Sequence, residues 1–168
     1  SYNSATSTIG AALKAGYVFV NVGTRSRRLV AADGTAAGKA PTVVVDAKAA
    51  VRYLRLNDEV MPGSADRIVV NGTSGGGALV SILGASGNSR DHLPYLAETG
   101  AAGIGRHGRS TLRDDVFAVV AYCPITDLGH ANIAYEWMYT TLGTRAAVNR
   151  NNDPAGSGYH QEEWYVPA

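Results

Sequence analysis

The chain has 168 residues, and its 15 basic and 14 acidic side chains give a formal net charge of +1. This length is enough for one domain with a sizeable core, and the near-neutral balance lacks the basic excess of a nucleic-acid-binding protein. The longest apolar runs fall far short of the roughly 20 residues of a membrane-spanning helix, so we expect neither a nucleic-acid partner nor a membrane.

The first predicted elements are a helix and a strand. Ser and Thr residues that can cap a helix precede Ile9, Ala12 and Leu13 at helical spacing, and Gly16 suits a left-handed helix end. The segment Tyr17 to Val22 is nearly all apolar, which is typical of a parallel strand that is covered on both faces. We therefore predict that this segment is a buried strand.

A crossover helix and two further strands are predicted next. Pro41 suits the first turn of the helix, and one apolar stripe is formed by Val43, Ala47, Ala50, Val51 and Leu54. Asp66 to Asn71 is then predicted as a strand, Gly76 to Leu83 as a helix, and Val116 to Tyr122 as a third strand. This alternation favours an α/β fold with a mainly parallel sheet and crossover helices.

The remaining segments carry weaker patterns. Gly84 to Asp115 holds six of the 20 glycines, so we expect a long irregular excursion with one helical turn. A helix is predicted from about Ala131 to Leu142, followed by a polar linker over residues 146–168. Cys123 is the only cysteine, and no histidine pair has metal-ligand spacing, so we expect no disulfide within one copy, no metal and no cofactor.

A candidate nucleophile lies between the second predicted strand and the helix after it. The motif is GxSxG, with Ser74 at its centre and Gly72 and Gly76 on either side. In such a turn the serine takes a strained backbone that lifts its Oγ clear, and a Cβ on either glycine would collide with the neighbouring strand or helix. The following helix directs free N–H groups at an anion, which makes the Gly75 N–H a natural oxyanion donor. The strand and helix favour a nucleophile over a phosphate-binding or purely structural turn.

The turn and two later stretches follow one another along the chain. Their sequences are NGTSGGGALVSILGASGNS, LPYLAETGAAG and VFAVVAYCPITDLGHANIAYEW. Together they resemble the bacterial tannase and feruloyl-esterase branch of the α/β-hydrolases, and GTRSRR resembles the GARGR turn of that branch. The resemblance implies a partial α/β-hydrolase core over residues 1–145. It also implies hydrolysis of a small-molecule ester with an aromatic acyl group, such as galloyl, through an acyl-enzyme on Ser74. A secreted or periplasmic location is slightly favoured by the same resemblance.

A serine nucleophile needs a general base and a carboxylate that orients the base. In α/β-hydrolases these follow the serine in the order acid, then histidine, yet only one predicted strand follows Ser74 here. We therefore expect the base and the acid on the remainder of the hydrolase, in another chain or a further segment, and this chain alone to be inactive. Asp127 is an alternative acid that also fits a turn or helix cap, and His130 is an alternative base.

Three residues are candidates for a substrate pocket: Arg25, Thr73 and Tyr135. Arg25 ends a predicted strand at the sheet edge where α/β folds bind ligands, although an ion pair with Asp46 is an equal alternative. The motif alone does not choose between esters and amides. A serine peptidase or acyl-aminoacyl hydrolase of the same fold, and a non-catalytic interaction module, therefore stay open as alternatives.

Overall fold

A computed structural model describes residues 7–25, 29–105 and 108–130 of the chain. Its helices and strands are α1 (Thr8–Lys14), α2 (Thr42–Leu56), β1 (Val69–Thr73), α3 (Gly75–Ala85), α4 (Leu93–Glu98) and β2 (Ala118–Tyr122). By internal contacts the chain divides into two units, Ser1–Pro124 and Ile125–Ala168. All six of these elements belong to the first unit.

The two helices before β1 begin where the sequence predicts them. The Ser7 hydroxyl accepts a hydrogen bond from the Gly10 N–H at 3.0 Å and so caps α1, and Gly16 follows the helix with a φ of 83°. Pro41 precedes α2, where the missing N–H of proline removes no helical hydrogen bond. The capping serine, the left-handed glycine and the helix over Thr42–Leu56 are confirmed; the crossover role predicted for this helix is wrong for the described residues, because no strand precedes it there.

The sheet is a βαβ unit. Strands β1 and β2 are parallel, with Val69 opposite Ala118 and Thr73 opposite Tyr122, and α3 connects to β1 directly and packs against both strands. β1 begins later than predicted, because residues Ala65–Arg67 form a 3₁₀ turn that Ser64 caps. β2 likewise begins two residues later than predicted. The α/β class and the parallel pairing are confirmed.

The predicted strand from Tyr17 to Val22 is wrong. These residues have no helix or strand assignment, and five of them expose between 38% and 64% of their surface. A strand exists only when a neighbouring strand takes up its backbone hydrogen bonds, and no described residue pairs with this segment. The described sheet therefore has two strands and not three, and both of them leave apolar side chains such as Val69 and Val119 exposed.

The core lies between α2, α3 and α4. Its buried apolar side chains in the described residues are Val44, Val45, Val51, Ala65, Ala78, Val80, Leu83 and Leu96. Of the residues predicted to form the buried stripe of α2, only Val51 is buried. The predicted stripe is therefore wrong, and the buried face lies about one residue further along the helix. The reason is that the true inner face also carries Lys48 and Arg52, which a search for apolar periodicity cannot find.

Lys48 and Arg52 are buried because Asp114 neutralises part of their charge. The Lys48 Nζ lies 2.8 Å from one Asp114 oxygen, and the Arg52 Nε lies 3.1 Å from the other. The Asn88 N–H also donates to Asp114 at 2.8 Å, and the Asp114 N–H donates back to the Asn88 side chain at 2.9 Å. This buried cluster ties α2 to the irregular segment between α3 and β2.

The irregular excursion over residues 84–115 is confirmed in its main character. The predicted helical turn is α4, which lies at the LPYLAE sequence, and a 3₁₀ turn at Arg90–His92 precedes it. The predicted helix over residues 131–142 and the predicted linker over 146–168 lie outside the described residues, so both stay predictions. Among the helices that are described, none has the length and apolarity to cross a bilayer.

Candidate active site

Ser74 lies between the last residue of β1 and the first residue of α3. Its backbone has a φ of 56° and a ψ of −116°, a conformation that costs free energy for any residue with a side chain. The residue is exposed, and within the described part of the first unit nothing hydrogen-bonds its hydroxyl. A strained, exposed serine at a strand-to-helix turn has the geometry of a nucleophile elbow.

The elbow is fixed by the neighbouring strand. The Ser74 N–H donates to the Tyr122 carbonyl at 2.9 Å, which continues the β1–β2 pairing one residue past the strand. The Ser74 carbonyl accepts the first helical hydrogen bond of α3, from the Ala78 N–H at 3.0 Å. Both backbone groups of Ser74 are therefore held, which places its side chain at the carboxyl edge of the parallel sheet.

Only one of the two flanking glycines is required by packing. A Cβ on Gly72 would lie 2.1 Å from the Gly76 carbonyl oxygen, whereas a Cβ on Gly76 would meet no atom within 4 Å. The expected collision at Gly76 is therefore wrong for the described structure, because the first turn of α3 directs that position into open space. The second packing requirement falls one residue later, where a Cβ on Gly77 would lie 3.0 Å from the Tyr122 carbonyl oxygen.

Unpaired N–H groups surround the serine at the start of α3. The first intrahelical acceptor, the Ser74 carbonyl, is taken by Ala78, so the N–H groups of Gly75 and Gly76 have no helical partner. Gly75 is exposed beside the serine and carries the partial positive charge of a helix start. This arrangement can stabilise negative charge that develops on an atom bound to Ser74. The role of Gly75 as oxyanion donor stays a prediction.

The three predicted pocket residues have different surroundings. Thr73 is exposed at the end of β1, directly before Ser74, and Tyr135 lies outside the described residues. Arg25 forms the alternative ion pair: its Nη2 lies 2.6 Å from Asp46, and its N–H donates to the same carboxylate at 2.8 Å. Burial alone would raise the pKa of Asp46, but the hydrogen bonds and charge of Arg25 outweigh it and lower that pKa. A pocket role for any of the three stays a prediction.

The alternative acid and base form a pair in the second unit. The His130 Nδ1 lies 2.9 Å from one Asp127 oxygen and 3.1 Å from the other, and this hydrogen bond lowers the pKa of Asp127. The two residues are three positions apart, a spacing at which side chains in a turn can meet, and this spacing is the sequence signal for the pair. Both side chains are more than 60% exposed, so the pair is a solvent-accessible carboxylate and imidazole.

The other histidines do not form a metal site in the described residues. His92, the last residue of the 3₁₀ turn before α4, is half-buried, and its Nδ1 has no hydrogen-bond partner there. His107 lies outside the described residues. No cluster of three or more histidine, cysteine, aspartate or glutamate side chains occurs in the part of the chain that the structure covers.

Comparison with known proteins gives a family and a fold. The family profile described as BD-FAE matches residues 1–152. The chain is 58% identical to a tannase from Fusobacterium nucleatum, with a TM-score of 0.67 over 78% of this chain and 26% of that one. It is 46% identical to the tannin acyl hydrolase from Lactobacillus plantarum, with a TM-score of 0.67 over 80% of this chain and 28% of the other.

A further solved structure adds a ligand. A tannin acyl hydrolase in complex with ethyl gallate is 45% identical, with a TM-score of 0.67 over 81% of this chain and 29% of that chain. No curated protein matches the sequence. The chain thus spans about a quarter of the length of the tannase structures that it matches.

Proposed function

The chain belongs to the BD-FAE family of α/β-hydrolases, and we propose that the protein containing it hydrolyses carboxylic esters with Ser74 as the nucleophile. The observation that carries this proposal is the backbone of Ser74, which is strained at a φ of 56° between β1 and α3 and leaves the side chain exposed. Asn88 and Cys123 also have a positive φ, but of these three residues Ser74 is the one that lies directly between a strand and a described helix. The likeness to tannases supports the same reaction class.

The proposed reaction has two steps. The Ser74 Oγ attacks the ester carbonyl carbon while its proton passes to a general base, and the carbonyl oxygen becomes an oxyanion that the Gly75 N–H stabilises. Collapse of this intermediate breaks the bond to the alcohol, which leaves with a proton and yields the acyl-enzyme. Water, deprotonated by the same base, then releases the acid and restores Ser74. One oxyanion donor contributes roughly 3 kcal/mol to lowering such a barrier.

The general base and its orienting acid are proposed to come from the remainder of the hydrolase. No described side chain of the first unit hydrogen-bonds Ser74, and the matched tannase structures are nearly four times as long as the matching segment. The exposed apolar side chains of residues 17–22, together with Val69 and Phe117, give such a remainder an apolar surface to cover. The Asp127–His130 pair is the alternative source of acid and base within this chain.

The proposed substrate is an ester of a phenolic acid. One matched structure is a tannin acyl hydrolase in complex with ethyl gallate, which makes that ester the first compound to test. Arg25 is proposed to help position the phenolic ring while it stays paired with Asp46. Both Asp46 oxygens already contact its guanidinium group. Thr73 and Tyr135 are the other proposed pocket residues.

The test is hydrolysis of ethyl gallate by the intact protein and by two serine variants. Ser74→Ala should lower kcat by a factor of about 1,000 or more, because it removes the nucleophile. Ser81→Ala is the matched control. Ser81 is an exposed serine of α3, and its hydroxyl donates to the Gly77 carbonyl at 2.8 Å. A kcat of Ser74→Ala within tenfold of that of the unmodified protein would refute the assignment of Ser74 as the nucleophile.

The same preparation separates the alternatives. Hydrolysis of an aminoacyl anilide faster than of ethyl gallate would indicate a peptidase or acyl-aminoacyl hydrolase. Absence of turnover on both compounds, and on p-nitrophenyl acetate, would indicate a non-catalytic interaction module. Turnover of p-nitrophenyl acetate by this chain alone, at the level of the intact protein, would contradict the proposed external base.

A further inference from the structure

A second candidate site lies at the opposite end of α3 from Ser74. A cavity of about 390 Å³ is lined by residues from α2, from the start of α4, from the segment just after α3 and from the segment 108–114. It includes Asn88, three residues past the end of α3, and Asp114, four residues before β2. Helix α3 has 11 residues, so its two ends lie about 16 Å apart. A small molecule in this cavity would therefore not reach Ser74.

The described lining of the cavity is strongly cationic. It contains the side chains of Arg52, Arg90, Arg109 and Arg113, and Asp114 is its one carboxylate. Arg113 shares its charge with carboxylates of the surface, at 3.1 Å and 3.4 Å. Arg90 and Arg109 have no ion pair with any residue that the structure describes. Two exposed guanidinium groups of the lining thus have no carboxylate partner among the described residues.

The single carboxylate of this lining accepts three hydrogen bonds. One Asp114 oxygen accepts from Lys48 and from the Asn88 N–H, and the other accepts from Arg52. Lys48 and Arg52 are 0% and 1% exposed, so two buried cations share one anion. A buried positive charge in excess is unfavourable unless a further anion approaches it. The cluster therefore favours an incoming negative charge.

Arg52 also keeps a donor for such an anion. Its Nη1 donates to the carbonyls of Ala102 and Leu112, its Nη2 to the Ser110 hydroxyl, and its Nε to Asp114. These four hydrogen bonds leave one of the five guanidinium N–H groups without a described partner. Arg52 is 1% exposed and lines the cavity, so the lining includes a buried cation that retains one donor.

We propose that this cavity binds a small carboxylate that has an apolar body. Guanidinium groups bind carboxylates through two parallel hydrogen bonds, which fits Arg90 and Arg109. Leu93 and Leu112 line the same cavity and give an apolar surface that inorganic phosphate would not use. The cavity volume lies within the range of small-molecule sites, which is about 300 to 1,000 Å³.

The test is calorimetric titration of the intact protein with benzoate and, separately, with inorganic phosphate. Arg90→Gln and Arg109→Gln should each weaken benzoate binding about tenfold, because each removes one charged hydrogen-bonding partner. Arg67→Gln is the matched control: it removes the same charge from an exposed arginine outside the cavity, and should leave the Kd within about twofold. Both cavity variants change exposed side chains, so they are expected to fold.

Three outcomes would overturn the proposal. Absence of saturable benzoate binding would refute the site, and so would equal losses in Arg67→Gln, Arg90→Gln and Arg109→Gln, since these would indicate unspecific attraction. Binding of phosphate as tightly as benzoate would refute the proposal that the ligand has an apolar body. None of these outcomes depends on turnover at Ser74, so failure of this proposal is distinct from failure of the esterase proposal.

Discussion

Gly72→Ala should break the elbow, whereas Gly76→Ala should not. The new Cβ at Gly72 would lie 2.1 Å from the Gly76 carbonyl oxygen and 2.4 Å from its carbon, while ordinary contacts begin at 3.4 Å. The shortfall is about 1.3 Å, and both clashing atoms belong to the backbone of the first turn of α3, so no side-chain rotation relieves it. The expected loss of unfolding free energy is at least about 3 kcal/mol.

Gly76→Ala is the matched control, because it makes the same chemical change in the same motif. Its Cβ would meet nothing within 4 Å, and alanine is a better helix former than glycine, so the protein should be equally stable or up to about 1 kcal/mol more stable. Urea unfolding of the intact protein, followed by circular dichroism, measures both. Equal stability of the two variants, or a larger loss for Gly76→Ala, would refute the assigned packing of the elbow.

Two further predictions concern buried charge. Asp114→Asn should lower the unfolding free energy by about 3 to 5 kcal/mol, because Lys48 and Arg52 would be buried without a counter-charge, whereas the exposed Asp33→Asn should cost less than about 1 kcal/mol in the same urea titration. Burial, and then the charge of Lys48, lower the pKa of His92 below its ordinary 6.5. As the pH falls, the imidazole of His92 therefore takes up its proton at a higher pH in the unfolded chain than in the folded one. The free energy of unfolding should consequently decrease as the pH drops from 6.5 through the lower pKa of the folded state. In His92→Gln that slope should be smaller; an unchanged slope between pH 7 and pH 5 would contradict the assignment.

The elbow could be predicted because its signals are local. The apolar run that ends at Val70, the glycines around Ser74 and the apolar pattern of α3 follow one another within 20 residues. Each of them specifies a backbone conformation by itself, and together they predicted the strand, the turn and the helix that follows it. The small error at the start of β1 arose because Ser64 caps a 3₁₀ turn where apolar content alone suggested a strand.

The features that could not be predicted depend on partners distant in sequence. The run from Tyr17 to Val22 has the composition of a strand, yet no described residue supplies the hydrogen bonds that a strand requires. The inner face of α2 contains Lys48 and Arg52 only because Asp114, more than 60 residues later, lies against them. Hydrophobic periodicity does not contain that information, so it placed the buried stripe on neighbouring residues.

Covalent labelling of the Ser74 hydroxyl tests its role as the nucleophile most directly. The intact protein is treated with a fluorophosphonate and digested, and the peptide that carries the adduct is identified by mass spectrometry, with an ordinary serine esterase treated in parallel. One adduct per chain on Ser74, absent from Ser74→Ala and retained in Ser81→Ala, is the predicted result. Labelling of the parallel esterase without any adduct on Ser74 would contradict the role of Ser74 as the nucleophile.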